Sequence, residues 1–210
     1  MSVLSFERVK YADTFIPESM VLQNGSADII RPIIFAIYLI RTESTVVLFD
    51  AGCNTMPDFD IQNFIPPTKA IECFGVSADD VTDIIISHAH HDHIEAVNDF
   101  KNARIHIQRD EYKSGKSYIN DEKELNLFDD ETVIDNSVKV IKIGGHSKGS
   151  CIALFDFDGK KYVICGDECY SRDNLKLKLP TGSSFCLQKS QEFIDEYSSD
   201  RYTALLMHQI

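Results

Sequence analysis

Apolar positions along the chain gather into short runs that are rich in β-branched residues. Ile33 to Ile40 and Thr45 to Phe49 read as two strands joined by the polar turn Arg41 to Ser44, an arrangement that suits a hairpin. Ile84 to Ile86 reads as a short buried strand, and Ile105 to Gln108 as another. Val138 to Ile143 alternates apolar and polar, as a half-buried strand should. Ile152 to Phe157 and Lys161 to Cys165 follow around a turn at Asp158-Gly159, and Thr203 to Met207 forms a last strand. Helical segments are expected at Ser77 to Asp80, with Ser77 as its cap, at Ile94 to Phe100 and at Gln188 to Tyr197. Residues 1–30 show no strong periodicity beyond a turn at Asn24-Gly25, and 109–130 read as charged helix or loop. Residues 53–70 hold Pro57, Pro66, Pro67 and several aromatics, so they read as a long loop that could line a pocket through Phe59, Phe64 and Ile65. Many strands with interspersed helices favour an α/β (α+β) fold of two packed sheets covered by helices.

Chemistry clusters where these strands end. Ser87-His88-Ala89-His90-His91-Asp92-His93 follows Ile84 to Ile86 and contains four of the seven histidines. Imidazole and carboxylate are ligands for zinc and other borderline divalent ions. His88 and His90, two apart, point the same way in an extended stretch, so they can share one ion, while Asp92 and His93 can serve a second. Asp50, His146, Asp167 and His208 also sit just after apolar strands. Loops at one edge of packed sheets gather side chains from distant sequence in this way. His91 is expected to point away from the ions, and His106, between isoleucines, to be a hydrogen-bonded core residue. No Gly-x-Ser-x-Gly stretch offers a nucleophilic serine.

Length and charge narrow the classes. A chain of 210 residues suits one domain spanning 1–210 with a sizeable core. The net charge of −12 disfavours nucleic acid as a partner. No apolar run approaches a membrane span, and the N-terminus lacks a secretory pattern. Six cysteines make no Cys-x-x-Cys pair and read as reduced thiols, so a cytoplasmic location is expected.

His88-x-His90-x-Asp92-His93 resembles the signature of the metallo-β-lactamase-fold hydrolases. Gly145-His146-Ser147-x-Gly149, Gly166-Asp167 and the early Asp50-Ala51-Gly52 resemble that superfamily's other motifs, in order. The resemblance implies an αββα sandwich in which His88, His90 and His146 bind one ion and Asp92, His93 and His208 a second. Asp167 would bridge the two, and Asp50 would orient ligands from outside. The implied cofactors are two divalent ions, zinc first, with iron, manganese and cobalt as alternatives.

A finer resemblance is to the N-acyl-homoserine lactonase branch. It rests on Arg31 to Glu43, on Ile107-Gln108-Arg109-Asp110-Glu111-Tyr112 and on Tyr170, three residues after Asp167, where that branch carries a catalytic tyrosine. It implies a small-molecule ester, lactone or thioester substrate, catalytic roles for Asp92 and Tyr170, and a homodimer as one oligomeric option. A thioesterase resembling glyoxalase II is the runner-up; a non-haem iron oxidoreductase resembling persulfide dioxygenases is a third reading. Three departures from the branch stand out: Ile94 to Val97 where small residues are usual, expected to lengthen the helix there; Lys148 where proline is common; and His208 only two residues from Ile210, which makes it the loosest expected ligand.

Overall fold

The computed structural model describes residues 2–57 and 59–209. Two sheets pack face to face. The first contains β1 (Val3–Pro17), β2 (Ile30–Thr42), β3 (Val46–Phe49), β4 (Asp83–Ile86), β5 (Arg104–Gln108) and β6 (Leu125–Phe128), in that spatial order. β1 to β3 pair antiparallel, and β3 to β6 pair parallel. The second sheet runs β11 (Thr203–Leu205), β10 (Lys160–Ile164), β9 (Cys151–Phe157), β8 (Val138–Lys142), β7 (Glu131–Ile134), with only β10–β11 parallel.

Strand period fixes which side chain faces which layer. Tyr38, Ile40, Val47, Phe49 and Ile85 of the first sheet meet Val140, Ala153, Phe155 and Ile164 of the second in a core between the sheets. Their neighbours Phe35, Ile37, Leu39, Leu48, Ile84 and Ile86 face outward, into a second core beneath helical turns and loops. Ile152 and Val163 face the other way and pack against Phe193 and Ile194. Central strands buried on both faces need apolar residues at every position, hence the unbroken runs at 33–40 and 84–86. The covering helices are α1 (Glu18–Val21), α2 (Pro67–Ala70), α3 (His91–Ile94), α4 (Arg109–Gly115), α5 (Arg172–Leu177) and α6 (Leu187–Tyr197). The αββα layering expected from the sequence is present. No helix among the described residues is long and apolar enough to cross a membrane.

The hairpin at 41–44, the strand at 84–86 and the helix at 188–197 form as expected. Ser77 caps its turn, trading hydrogen bonds with Asp80. Three expectations fail. Residues 3–17 form one long edge strand whose pairing with β2 slips at Val3/Ser5 and Lys10/Ala12. Those bulges break the alternation that would have marked it. The stretch 94–100 is not a lengthened helix: α3 stops at Ile94 and a 3-10 turn takes over Glu95–Asp99. Ile94 has φ −124°, and Ala96 N–H donates to Gly52 O rather than along the helix. Finally, 125–128 is a strand rather than helix or loop, and 131–134, for which no element was expected, is another; their partly exposed, polar-rich faces hid them.

Candidate metal centre

Each chemically active side chain leaves the end of a strand. Asp50 follows β3 in the left-handed region, at φ +67°, which for a non-glycine residue is uncommon. That turn aims its buried carboxylate at three donors: Ser87 N at 2.7 Å, Ser87 Oγ at 2.9 Å and His93 Nδ1 at 2.7 Å. Gly52 completes the bend at φ +74°, where a Cβ would lie 2.7 Å from Pro67 Cγ.

The loop after β4 delivers His88 and His90, and α3 delivers Asp92 and His93. The loop after β8 brings His146, the turn after β10 brings Asp167, and the segment beyond β11 brings His208. All seven converge as two groups. His88 Nε2 lies 2.8 Å from His90 Nδ1, which lies 3.0 Å from His146 Nε2. Asp167 Oδ2 stands 3.8 Å from His88 Nε2 and 3.5 Å from His146 Nε2. In the second group His93 Nε2 is 3.1 Å from Asp92 Oδ2 and 3.3 Å from Asp167 Oδ1. His208 Nε2 is 2.9 Å from that same Asp167 oxygen. Asp167 therefore gives one oxygen to each group.

The donor set suits divalent metals. Ligands about 2.0–2.1 Å from a tetrahedral ion lie about 3.3 Å from one another, close to the separations found. His93 Nε2 is buried without a hydrogen bond among the described residues, a costly position for a polar atom unless something else coordinates it. Hydrogen bonds on the far side of the rings hold these nitrogens inward: His93 Nδ1 donates to Asp50 and His208 Nδ1 donates to Ile34 O at 2.9 Å. His208, far from loose, is 3% exposed and bonded at both nitrogens.

The two groups differ electrically. Burial, reinforced by neighbouring histidines, holds His88 well below the ordinary imidazole range. Burial likewise pulls His146 down to about 4, against the opposing pull of Asp167. Both are therefore neutral near pH 7, the ligand form. His93 and His208 are raised instead, because Asp92 and Asp167 outweigh burial. Asp167 is correspondingly held well below the usual carboxylate range, with burial opposing His93, His208 and His146.

Two buried carboxylates take roles that the sequence did not assign them. Glu111 accepts from Ala89 N, Ser147 Oγ and Gly149 N at 2.8, 2.7 and 2.7 Å, tying the loop after β4 to the loop after β8. Gln108 caps α4 and so positions it. Glu168 accepts from Gly145 N and His146 N at 3.1 Å and from Ser150 Oγ at 2.5 Å. Gly145 must be glycine because a Cβ would collide with that carboxylate. The one signal for either was its place beside a recognisable motif.

Over the donors opens a cavity of about 270 Å³, walled by Ile16, Met20, Ile33, Phe35, Met56 and Phe59. His90, Asp92, His146, Asp167, Tyr170 and His208 line it too. Tyr170 is 7% exposed, its ring centroid 4.8 Å from that of His208. Of the expected loop residues Phe59, Phe64 and Ile65, only Phe59 lines this cavity; Phe64 packs on the core and Ile65 is exposed. His91 turns from the donors to Thr55 O, 2.7 Å away. His106 is buried between Asp83 and Asn126. Cys169 Sγ donates to Ser171 O at 3.3 Å and stands outside both groups.

The metallo-beta-lactamase superfamily model matches residues 36–202. The chain belongs to that superfamily. Within it, a probable metallo-hydrolase of Methanocaldococcus jannaschii is 30% identical over 122 residues, 58% of this chain and 52% of that protein. The N-acyl homoserine lactonase AiiB of Agrobacterium fabrum is 30% identical over 97 residues, 39% of this chain and 35% of AiiB. The chain thus matches about half, or less, of the length of these curated relatives. A B. thuringiensis AiiA mutant, solved with N-decanoyl-L-homoserine at its active site, superposes with TM-score 0.85 at 19% identity, covering 100% of this chain and 95% of that one. A probable metal-dependent hydrolase from Staphylococcus aureus gives 0.83 at 19% identity, covering 98% and 89%. At such identities the superfamily fold is what is shared.

Proposed function

We propose that this protein is a dinuclear metal-dependent hydrolase that opens an ester-type bond, most naturally a lactone bearing an acyl chain. The observation that carries it is Asp167, one oxygen in each donor group at the floor of an apolar-walled cavity. In this reading His88, His90 and His146 hold one ion and Asp92, His93 and His208 the other, with Asp167 between them. Both ions are read as zinc, which favours His and carboxylate donors. When bound, such a pair supplies Lewis acidity and hydroxide at neutral pH.

The chain's own residues supply the rest. Tyr170 stays protonated, because burial and then the carboxylates of Asp167 and Asp92 push its pKa well up. Its hydroxyl donates to the carbonyl oxygen as negative charge develops there. Asp92 carries a proton to the leaving alkoxide. Water thus adds across the acyl C–O bond and a hydroxy acid leaves. Ile16, Met20, Met56 and Phe59 offer the acyl chain an apolar wall. The lactone assignment draws on AiiB, named an N-acyl homoserine lactonase, and on the acyl-homoserine held by the AiiA mutant. The same reading takes 1–210 as one domain, working on a small molecule in the cytoplasm, where its six unpaired cysteines stay reduced, with a homodimer as one oligomeric option.

The test is elemental analysis of protein purified without added metal, followed by a lactone and thioester panel. Two ions per chain, with chelator-sensitive lactone turnover restored by zinc, are expected. Turnover of thioesters alone would transfer the site to a glyoxalase II-like thioesterase. A single iron with oxygen uptake would replace hydrolysis with persulfide-dioxygenase-like chemistry.

A further inference from the structure

Beside the metal cavity lies a second one, of about 290 Å³, that shares Ile33, Tyr170 and His208 with the first. A group in either cavity therefore touches some of the same side chains. Val21, Leu22 and Pro32 give the second cavity apolar walls. Arg31, Arg172 and Lys176 line it as well, against one carboxylate, Asp173. Three cations in one lining run against a chain of net charge −12.

Arg31 is already engaged by Glu18, to which its Nε donates at 2.9 Å. The guanidinium of Arg172 and the ammonium of Lys176 have no partner among the described residues. Arg172 opens α5 and Lys176 follows four residues on, so both project from one face of it. Like charges at that spacing repel, and Asp173, in the first turn of α5, is the one carboxylate set against Arg31, Arg172 and Lys176 in the lining. The lining thus keeps an excess of positive charge. A bound anion offsets that excess, and guanidinium and ammonium groups both match the oxygens of a carboxylate or phosphate.

We propose that the second cavity binds an anionic group, a carboxylate or phosphate, that the substrate carries in addition to the bond it loses. That the ligand is substrate rests on the hydrolase reading; that the cavity takes an anion does not. Substrates bearing such a group should then outrun their neutral counterparts.

The test uses the metal-loaded protein and its Arg172→Gln/Lys176→Gln double variant. Calorimetry with hexanoate, hexyl phosphate and the neutral control hexanol reads binding directly. Anion binding at the metal centre persists in the variant, so the difference between the two proteins isolates the second cavity. At least one of the two anions is expected to bind about tenfold more weakly to the variant, with hexanol binding alike in both. Which anion responds tells carboxylate from phosphate. In kinetics, the ratio of kcat/KM for an anionic lactone to that for its neutral analogue should fall about tenfold, with the loss in KM. Equal anion affinities in the two proteins, or an unchanged kinetic ratio, overturn the proposal. If the metal-loaded wild type cleaves no ester, lactone or thioester, the hydrolase reading fails by itself and calorimetry alone decides the cavity.

Discussion

Asp50 accepts a 2.7 Å hydrogen bond from Nδ1 of His93, and both side chains are buried. The bond fixes which nitrogen of His93 carries the proton and leaves Nε2 facing Asp92 and Asp167. Asp50→Ala frees that ring and strands the Ser87 donors. Outer hydrogen bonds of this kind are worth about 10- to 100-fold in metal affinity. Competition against a chelator should show a loss in that range, smaller for Asp50→Asn. Unchanged affinity would mean that Asp50 serves the fold alone.

Glu111 joins two loops rather than touching the donors. Its carboxylate takes hydrogen bonds from Ala89, Ser147 and Gly149. Glu111→Ala leaves two backbone N–H groups and a hydroxyl without their acceptor in a buried place, at a cost of about 2–4 kcal/mol. Urea unfolding should report that loss, and metal binding by the His88, His90 and His146 group should weaken with it.

Acidity offers a third handle. In the metal-free protein burial disfavours the imidazolium of His93 and of His208, but Asp92 and Asp167 outweigh it and hold both pKa values above the ordinary one. A folded pKa above the unfolded value of about 6.5 stabilises fully below that pH and is lost as pH rises through the folded value. Metal ions need both rings deprotonated, so their binding strengthens over the same interval. The gap in Tm between metal-loaded and metal-free protein should widen from about pH 6 to pH 9. A gap that stays constant or narrows would contradict this charge arrangement.

The sequence disclosed what local pattern encodes and concealed what distant contacts decide. Ile33 to Ile40 and Ile84 to Ile86 were legible as strands because both of their faces are buried. Six of the seven converging side chains were legible because the histidine-rich turn and the glycine-flanked His146 and Asp167 each follow a strand; His208 stood out only as a histidine after the last apolar run. β1 was not, since its bulges interrupt the period and charged Glu7, Arg8, Lys10 and Asp13 break the apolar run. Glu111 is one acidic letter in a charged stretch, and only the approach of two remote loops makes it special. Phe59 and Phe64 look alike in sequence and both pack on the core, yet only Phe59 of the two also lines the cavity.

That difference gives a kinetic prediction. Phe59 packs edge-on to Phe35, centroids 6.1 Å apart, on the apolar side of the cavity. Phe59→Ala should raise KM for decanoyl-length substrates about tenfold while leaving short-chain ones within about twofold, since each buried methylene is worth about 0.8 kcal/mol. Michaelis constants across a chain-length series would show it. Equal changes at every length would place the acyl chain elsewhere.

Tyr170 allows the sharpest separation of chemistry from packing. Its ring lies 4.8 Å from His208 and 6.2 Å from His146, centroid to centroid, so the aromatic body fills space among the donors. Its hydroxyl keeps its proton to donate near neutral pH, because burial, Asp167 and Asp92 together hold its pKa well up. Tyr170→Phe deletes that one donor and retains the ring. Loss of a single hydrogen bond to a developing oxyanion costs about 10²- to 10³-fold in kcat. The variant should therefore keep its metal content and a KM near that of the wild type while kcat falls by that factor. Steady-state kinetics beside metal analysis of the same sample decides the matter. A kcat within about twofold of wild type would reduce Tyr170 to a packed aromatic, because an interaction made only in the transition state cannot be removed without slowing turnover.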